Sequence, residues 1–166
     1  YGRFADALLE AYPYTKEDGG KQSRALMRDA AFGWQTWQWA CLQSAKGKSN
    51  VYLYYFDQHS ADSDGSPHGQ DVAYVFQHLN PAQASESDMD LSSAMGEYWL
   101  NFTRNGNPNG PGVPEWPLFT SDNHQSMYLT GPTPFIGPVP SEDALKVLST
   151  YFDWRRTPEG REFGEK

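Results

Sequence analysis

The feature that most constrains the fold of this chain is a run of β-branched, aliphatic and aromatic residues, VYLYYF at 51–56. A strand with one face in water alternates apolar and polar residues, but this run shows no such alternation. It therefore predicts a strand that is buried on both faces of a parallel sheet. A long helical pattern ends at Gly47, directly before the strand, and this order of elements is typical of α/β proteins.

Apolar residues recur at helical spacing on both sides of this strand. One pattern ends at Gly106, and Ser141 is a suitable N-cap for a last helix, after which a charged tail runs from Arg155 to Lys166. The predicted helices span residues 3–12, 22–45, 71–79 and 90–105, with a last helix after Ser141. The longest of them has one predicted buried stripe, which consists of Met27, Ala30, Trp34, Trp37 and Cys41.

The sequence offers too few strands for a complete α/β sheet. Beside residues 51–56, only the weaker segment Met127–Leu129 resembles a strand, and we predict that it lies at an edge. Sheets of this class commonly contain about five or six strands. We therefore expect an incomplete fold, whose sheet is completed by a missing segment of the polypeptide or by another chain.

The composition excludes several classes of partner. A content of 38% hydrophobic and 15% aromatic residues favours a packed core over disorder. The chain has 13 Lys and Arg against 21 Asp and Glu, a net charge of -8, so it lacks the basic clusters that bind nucleic acid or anionic membrane surfaces. No apolar run approaches the roughly 20 residues that span a bilayer.

The first residues and the single cysteine leave the cellular compartment open. Tyr1-Gly2-Arg3 shows neither an initiator methionine nor a signal-peptide pattern, so we expect the chain to begin within a longer protein. Cys41 is the only cysteine, which excludes a disulfide within the chain. A disulfide between Cys41 and a missing segment stays open.

A polar loop after the predicted strand contains the best catalytic candidate. Residues 57–67 are rich in Asp, Ser and Gly, and His68 follows between Pro67 and Gly69. Sites of open α/β sheets usually lie at the carboxyl ends of the strands. A histidine held there by small and rigid neighbours can act as an exposed general base, so we select His68. Surface or hydrogen-bonded histidines are commoner than catalytic ones, and this is our interpretation of His59, His78 and His124.

We expect neither a metal nor a cofactor. Asp62, Asp64 and Ser66 begin like a calcium-binding loop, but Pro67 stands in place of the required glycine and Ala73 in place of the bidentate glutamate. The sequence also shows no phosphate-binding loop and no nucleotide fingerprint.

Four segments in a fixed order carry a resemblance to a known family. They are RDAAF at 28–32, VYLYYFD at 51–57, HGQDVAYVFQHL at 68–79 and YWLNFTRNGNPNGPGVPEWPLF at 98–119. Together they resemble successive blocks around and after the catalytic histidine of the type-B carboxylesterases, a family that includes cholinesterase-like and para-nitrobenzyl esterase-like enzymes. The resemblance covers nearly the whole chain and corresponds to the C-terminal portion of a family member.

The resemblance implies an α/β-hydrolase fold, of which residues 1–166 form the C-terminal portion of a single domain without an internal boundary. It also implies a serine hydrolase, in which His68 takes the proton of a serine hydroxyl and returns it to the leaving alcohol. The G-x-S-x-G segment of that serine and the triad Glu or Asp would lie before Tyr1. The chain alone is therefore expected to be inactive. Its expected partners are a small-molecule ester and the N-terminal portion of the same protein, and the resemblance slightly favours a secreted or periplasmic location.

The resemblance suggests roles for two further residues. Asp71 is expected to support the His68 loop through a hydrogen bond. A role as the triad acid is disfavoured, because a carboxylate one helical turn away would have to fold back to reach the imidazole. The simpler alternative is a first-turn carboxylate that only interacts with the helix dipole. Trp34 is the preferred candidate for lining an ester pocket, because it lies nearest the segment that resembles the active-site side of the family. The helical spacing of Trp34, Trp37 and Trp39 instead favours packing in the core.

Two other functions stay open beside ester hydrolysis. A catalytically inactive, cholinesterase-like binding or adhesion module has the same fold. His68 between Pro67 and Gly69 favours the enzyme, but the serine that an inactive relative would lack is not in this sequence. An independent small domain with unrelated chemistry is disfavoured by the shortage of strands.

Overall fold

The computed structural model describes residues 1–18 and 20–163. They form two compact units, one of Tyr1–Cys41 with Pro140–Lys166 and the other of Leu42–Val139. The expectation of a single domain without an internal boundary stays a prediction. The elements follow in the order 3₁₀ turn Gly2–Phe4, α1 (Ala5–Ala11), α2 (Lys21–Arg28), π-helical turn Asp29–Gly33, α3 (Trp34–Lys46), β1 (Tyr54–Phe56), α4 (Gln70–Val75), α5 (Glu86–Asn105), β2 (Gln125–Leu129), β3 (Phe135–Pro138), α6 (Glu142–Arg155) and α7 (Pro158–Phe163).

A π-helical turn interrupts the long helix of the first unit. The helical path from α2 to α3 covers the predicted range, but the turn Asp29–Gly33 inserts an extra residue and shifts the phase of the helix surface. The predicted stripe is therefore wrong at Met27, which is 71% exposed, while Asp29 is 3% exposed. After the turn, Trp34 and Trp37 are buried as predicted.

Two helices near the end of the sequence complete the first unit. Leu145 and Leu148 of α6 are buried, and α6 packs against α1 and the π-helical turn. Ser141 lies at the predicted N-cap of α6 but in a left-handed conformation, with no side-chain hydrogen bond to the helix among the described residues. The predicted charged tail contains α7, because Thr157 accepts a hydrogen bond from Gly160 N and proline is favourable in a first turn.

The second unit contains a three-stranded sheet in the order β1-β2-β3. β1 pairs in parallel with β2, which agrees with the predicted parallel strand, but β2 pairs antiparallel with β3, so the sheet is mixed. The prediction that Met127–Leu129 is an edge strand is wrong, because β3 covers its other side and places β2 in the centre. β1 is also shorter than predicted, and only Leu53 of the predicted run is buried. Residues Tyr54–Phe56 are only partly buried, so the prediction of a strand buried on both faces is wrong for these described residues. Among the described residues, β1 pairs only with β2 and lies at an edge of the sheet.

Helix α5 packs its apolar face against the sheet of the second unit. It begins at a capping box, in which Ser85 and Asp88 bond to each other's backbone N–H, and it ends at Gly106 in the left-handed conformation. Its start lies before the predicted residue 90, and its end is as predicted. The core that it covers consists of Tyr74, Leu91, Met95, Tyr98, Trp116, Met127 and Leu129.

Within residues 1–18 and 20–163, no helix has the length and apolar character needed to cross a membrane.

Candidate active site at the carboxyl end of β1

The His68 turn directly precedes α4. Gln70 N donates to Pro67 O at 3.2 Å, which closes a four-residue turn with His68 in its second position. Gly69, in the third position, has φ 77° and ψ 6°. These angles match a type II turn and favour glycine, which has no Cβ to oppose a positive φ. The side chain of His68 is exposed at the end of the loop that follows β1.

Asp71 connects the start of α4 to β1. The Tyr54 hydroxyl donates to Asp71 Oδ2 at 2.9 Å. Burial, together with the hydrogen bond to Asp71 and its charge, raises the pKa of Tyr54 above its ordinary value. The phenol therefore stays protonated and remains a hydrogen-bond donor at neutral pH. This contact joins a strand residue to the helical turn that begins just after His68.

Gln58 holds the beginning of the loop with both ends of its amide group. Its Nε2 donates to Asp88 Oδ1 at 2.7 Å, and its Oε1 accepts a hydrogen bond from Gly131 N at 2.7 Å. Its backbone carbonyl accepts a hydrogen bond from Ser66 Oγ at 2.8 Å. One residue thus connects the loop after β1 to the start of α5 and to the turn between β2 and β3.

Asp88 accepts hydrogen bonds from three other residues. Oδ1 accepts from Tyr74 Oη at 2.8 Å as well as from Gln58, and Oδ2 accepts from Ser85 N and Ser85 Oγ at 2.9 and 2.7 Å. Burial alone would raise the pKa of Asp88, but the hydrogen bonds from Ser85, Gln58 and Tyr74 outweigh it and lower the pKa to about 2. The carboxylate is therefore ionised throughout the neutral range.

Sequence reasoning missed Gln58 and Asp88. The only local signal was the spacing Ser85-x-x-Asp88 before an apolar helix, which is typical of a capping box. Nothing in the sequence pattern pairs Asp88 with a glutamine 30 positions earlier. That pairing depends on the packing of the sheet against α5.

Trp34 lies in the other unit, on α3. It is 7% exposed, and its ring packs against Phe152 with centroids 4.3 Å apart. Arg156 Cζ lies 5.6 Å from the centroid of the indole ring. Trp39, by contrast, is 72% exposed. The contacts of Trp34 are those of a packed side chain, and a role in lining an ester pocket stays a prediction.

The other three histidines have local contacts. His59 Nδ1 lies 2.8 Å from Ser60 O, and its Nε2 lies 3.6 Å from Asp57 Oδ1. The ring of His124 stacks on Phe119 with centroids 4.8 Å apart. His78 is exposed, and its ring centroid lies 6.3 Å from that of Phe76.

No group of three or more His, Cys, Asp or Glu side chains suited to a metal ion occurs in the part of the chain that the structure describes.

Comparison with known proteins establishes the family. The family model described as "Carboxylesterase family" matches residues 3–142. The cocaine esterase of Homo sapiens is 33% identical over 76% of this chain, and that of Oryctolagus cuniculus is 35% identical over 92%. The chain belongs to the carboxylesterase family. It spans 24% and 29% of the lengths of these two relatives.

The structural comparison confirms the predicted α/β class and the α/β-hydrolase fold. A solved PNB esterase matches 87% of this chain with a TM-score of 0.70 and 22% sequence identity. The match covers 30% of the PNB esterase chain, which is consistent with the predicted C-terminal part of the fold.

Proposed function

We propose that this chain supplies the catalytic histidine of a carboxylic ester hydrolase, with His68 as general base and general acid. The observation that carries the proposal is the placement of an exposed imidazole in a closed turn at the carboxyl end of β1, in a chain of the carboxylesterase family. The serine nucleophile and the carboxylate of the triad would belong to the rest of the protein. The substrate class is a small-molecule ester.

In the proposed mechanism, His68 accepts the proton of the serine hydroxyl as the serine attacks the ester carbonyl. The imidazolium then gives this proton to the leaving alcohol. The same imidazole next activates water, which hydrolyses the acyl-enzyme. A carboxylate from the rest of the protein would orient the second ring nitrogen and stabilise the charged form.

Asp71 would support His68 without taking part in proton transfer. Its Oδ2 is already engaged by the Tyr54 hydroxyl, and this contact joins α4 to β1. A positioning role for Asp71 is therefore a better fit than the role of triad acid.

The test is turnover of a p-nitrophenyl ester by the complete protein and its His68→Ala variant. We expect the variant to lose roughly 10³-fold or more in kcat, because no other group would take the serine proton. His78→Ala is the matched control, since His78 is also exposed, and it should retain activity. Equal turnover by His68→Ala and wild type would refute the proposal. Absence of turnover in the wild type would favour the inactive binding module.

A further inference from the structure

The loop that leads to His68 has no apolar anchor. None of residues 57–69 is buried, and the segment carries no regular secondary structure. Exposed segments with few buried contacts open at low free-energy cost. The α4 side of His68 is fixed by the buried Tyr74 and by the Tyr54–Asp71 hydrogen bond. On the loop side, the position of His68 therefore depends on the polar contacts that this loop makes.

A hydrogen bond of Ser66 joins the two ends of the loop. Ser66 Oγ donates to the carbonyl of Gln58 at 2.8 Å. Ser66 lies two residues before His68 and directly precedes Pro67, whose carbonyl closes the turn that carries the imidazole. Ser66 is joined to His68 through Pro67, whose fixed φ removes one degree of backbone freedom between them.

The other end of this contact is fixed to regular structure. The amide of Gln58 is bonded on one side to Asp88, in the first turn of α5, and on the other to Gly131 N, after β2. Asp88 is itself held by Tyr74 and Ser85. A continuous series of hydrogen bonds therefore runs from the start of α5 through Gln58 to Ser66.

We propose that Gln58 and Ser66 are positioning residues for ester hydrolysis, an inference that rests on the proposed role of His68. Neither side chain has to reach the reacting atoms. They act through the backbone of the turn and hold the imidazole where a serine hydroxyl can approach it. Loss of alignment lowers the chemical rate even when the substrate still binds, because proton transfer needs near-contact geometry.

The chemistry at Gln58 requires an amide. Glutamate would lose the donor and would place a second carboxylate against Asp88, which is ionised across the neutral range. Leucine would remove both side-chain contacts while keeping a similar volume. Both changes therefore remove hydrogen bonds of Gln58 while leaving its side-chain volume nearly unchanged.

The loop contains a matched control for Ser66. Ser63 also donates a hydrogen bond, from Oγ to Gly65 O at 2.7 Å, but this contact stays within the loop. Ser63→Ala removes a hydroxyl from the same segment without separating its two ends. A difference between the two Ser→Ala variants therefore reports the closing contact alone.

The experiment measures kcat and KM of the complete protein with a p-nitrophenyl ester. Ser66→Ala should lower kcat roughly 5- to 20-fold with KM changed less than about 2-fold, as expected for loss of one aligning hydrogen bond. Ser66→Thr keeps a hydroxyl and should retain kcat within about 2-fold, as should Ser63→Ala. Gln58→Leu and Gln58→Glu should each lower kcat by roughly 10- to 100-fold.

The outcomes separate this inference from the proposed function. If His68→Ala retains wild-type turnover, the proposed function fails and the inference fails with it. If His68→Ala is inactive while Ser66→Ala matches Ser63→Ala, only the positioning role is overturned. A rise in KM at unchanged kcat in Ser66→Ala would also overturn it. The mild Ser66→Ala variant keeps the test decisive if the Gln58 variants fail to fold.

Discussion

Two irregular loops of the second unit differ in whether a buried side chain anchors them. The loop at 106–119 follows α5 and inserts Pro108, Trp116 and Phe119 into the interior. The loop at 57–69 inserts no residue, and hydrogen bonds of Gln58 and Ser66 hold it instead. The first loop combines burial of apolar surface with hydrogen bonds such as that from Trp116 N to Asn109 Oδ1 at 2.6 Å, whereas the second has polar contacts without a buried residue.

The two kinds of anchor should contribute differently to the stability of the protein and to its catalytic rate. An apolar anchor contributes most to the free energy of unfolding, because burial of a large side chain removes much apolar surface from water. A polar anchor contributes less, but it fixes direction and leaves its neighbours exposed to a substrate. His68 lies at the end of the polar loop. Mutations in the two loops should therefore affect different measurements.

The largest expected effect is on stability, from Trp116→Ala. The Trp116 ring packs on Tyr98 with centroids 5.1 Å apart, and its Nε1 donates to Leu53 O at 3.1 Å. Its loss should lower the free energy of unfolding of the complete protein by about 3–5 kcal/mol, measured by chemical denaturation. Trp39→Ala removes an exposed indole and should cost less than about 0.5 kcal/mol. If Trp116→Ala lowers the free energy of unfolding no more than Trp39→Ala does, burial of Trp116 does not anchor the loop at 106–119.

A smaller effect on stability is expected from Asp88→Asn, and it depends on pH. The pKa of Asp88 is lowered from 3.8 to about 2 in the folded protein. The ionised carboxylate therefore stabilises the fold fully above about pH 4, and this contribution is lost as the pH falls towards 2. At pH 7 the variant should lose about 1 kcal/mol, because the carboxylate is only partly buried and solvent screens it.

The measurement for Asp88 is chemical denaturation at a series of pH values. The difference between wild type and Asp88→Asn should be constant from pH 7 to about 4 and should shrink below that range. Asp90→Asn, on the same helix with an exposed carboxylate, is the control. A difference that grows as the pH falls would contradict the hydrogen-bond arrangement at Asp88.

The smallest effect is expected from two Tyr→Phe changes that remove one hydroxyl each. Tyr54 donates to Asp71, beside the His68 turn, and Tyr52 donates to Asn107, in the other loop. Tyr54→Phe should lower kcat about 3- to 10-fold, whereas Tyr52→Phe should leave kcat within about 2-fold. Steady-state kinetics of the two variants in the complete protein provide the check. Equal kcat values for the two variants would contradict a supporting role of the Tyr54–Asp71 contact at the His68 turn.

Much of the second unit could be predicted from local sequence. The end of α5 at Gly106, the polar loop after the β1 run and the turn residues around His68 all follow from residue types with strong conformational preferences. The central position of β2 could not be predicted, because the apolar segment is short and its neighbour β3 contains Gly and Pro, which are rare in strands.

Other features of the structure could not be predicted from local sequence, for different reasons. The π-helical turn moved Met27 to the surface, since periodicity at 3.6 residues per turn does not register an inserted residue. The contact between Gln58 and Asp88 joins segments far apart in sequence, so no spacing rule identifies it. The place of His68 in an exposed loop after β1 could be predicted, but the hydrogen bonds of Gln58 and Ser66 in that loop could not.

The most direct test of the central claim is the labelling of the complete protein by a fluorophosphonate, which reacts with an activated serine. If His68 activates that serine, wild-type protein should be labelled on one serine outside residues 1–166. The labelling rate of His68→Ala should be lower by a factor of at least roughly 10². Peptide mass spectrometry identifies the labelled residue, and the time course gives the rate. Equal labelling rates in wild type and His68→Ala would contradict the claim that this imidazole takes the serine proton.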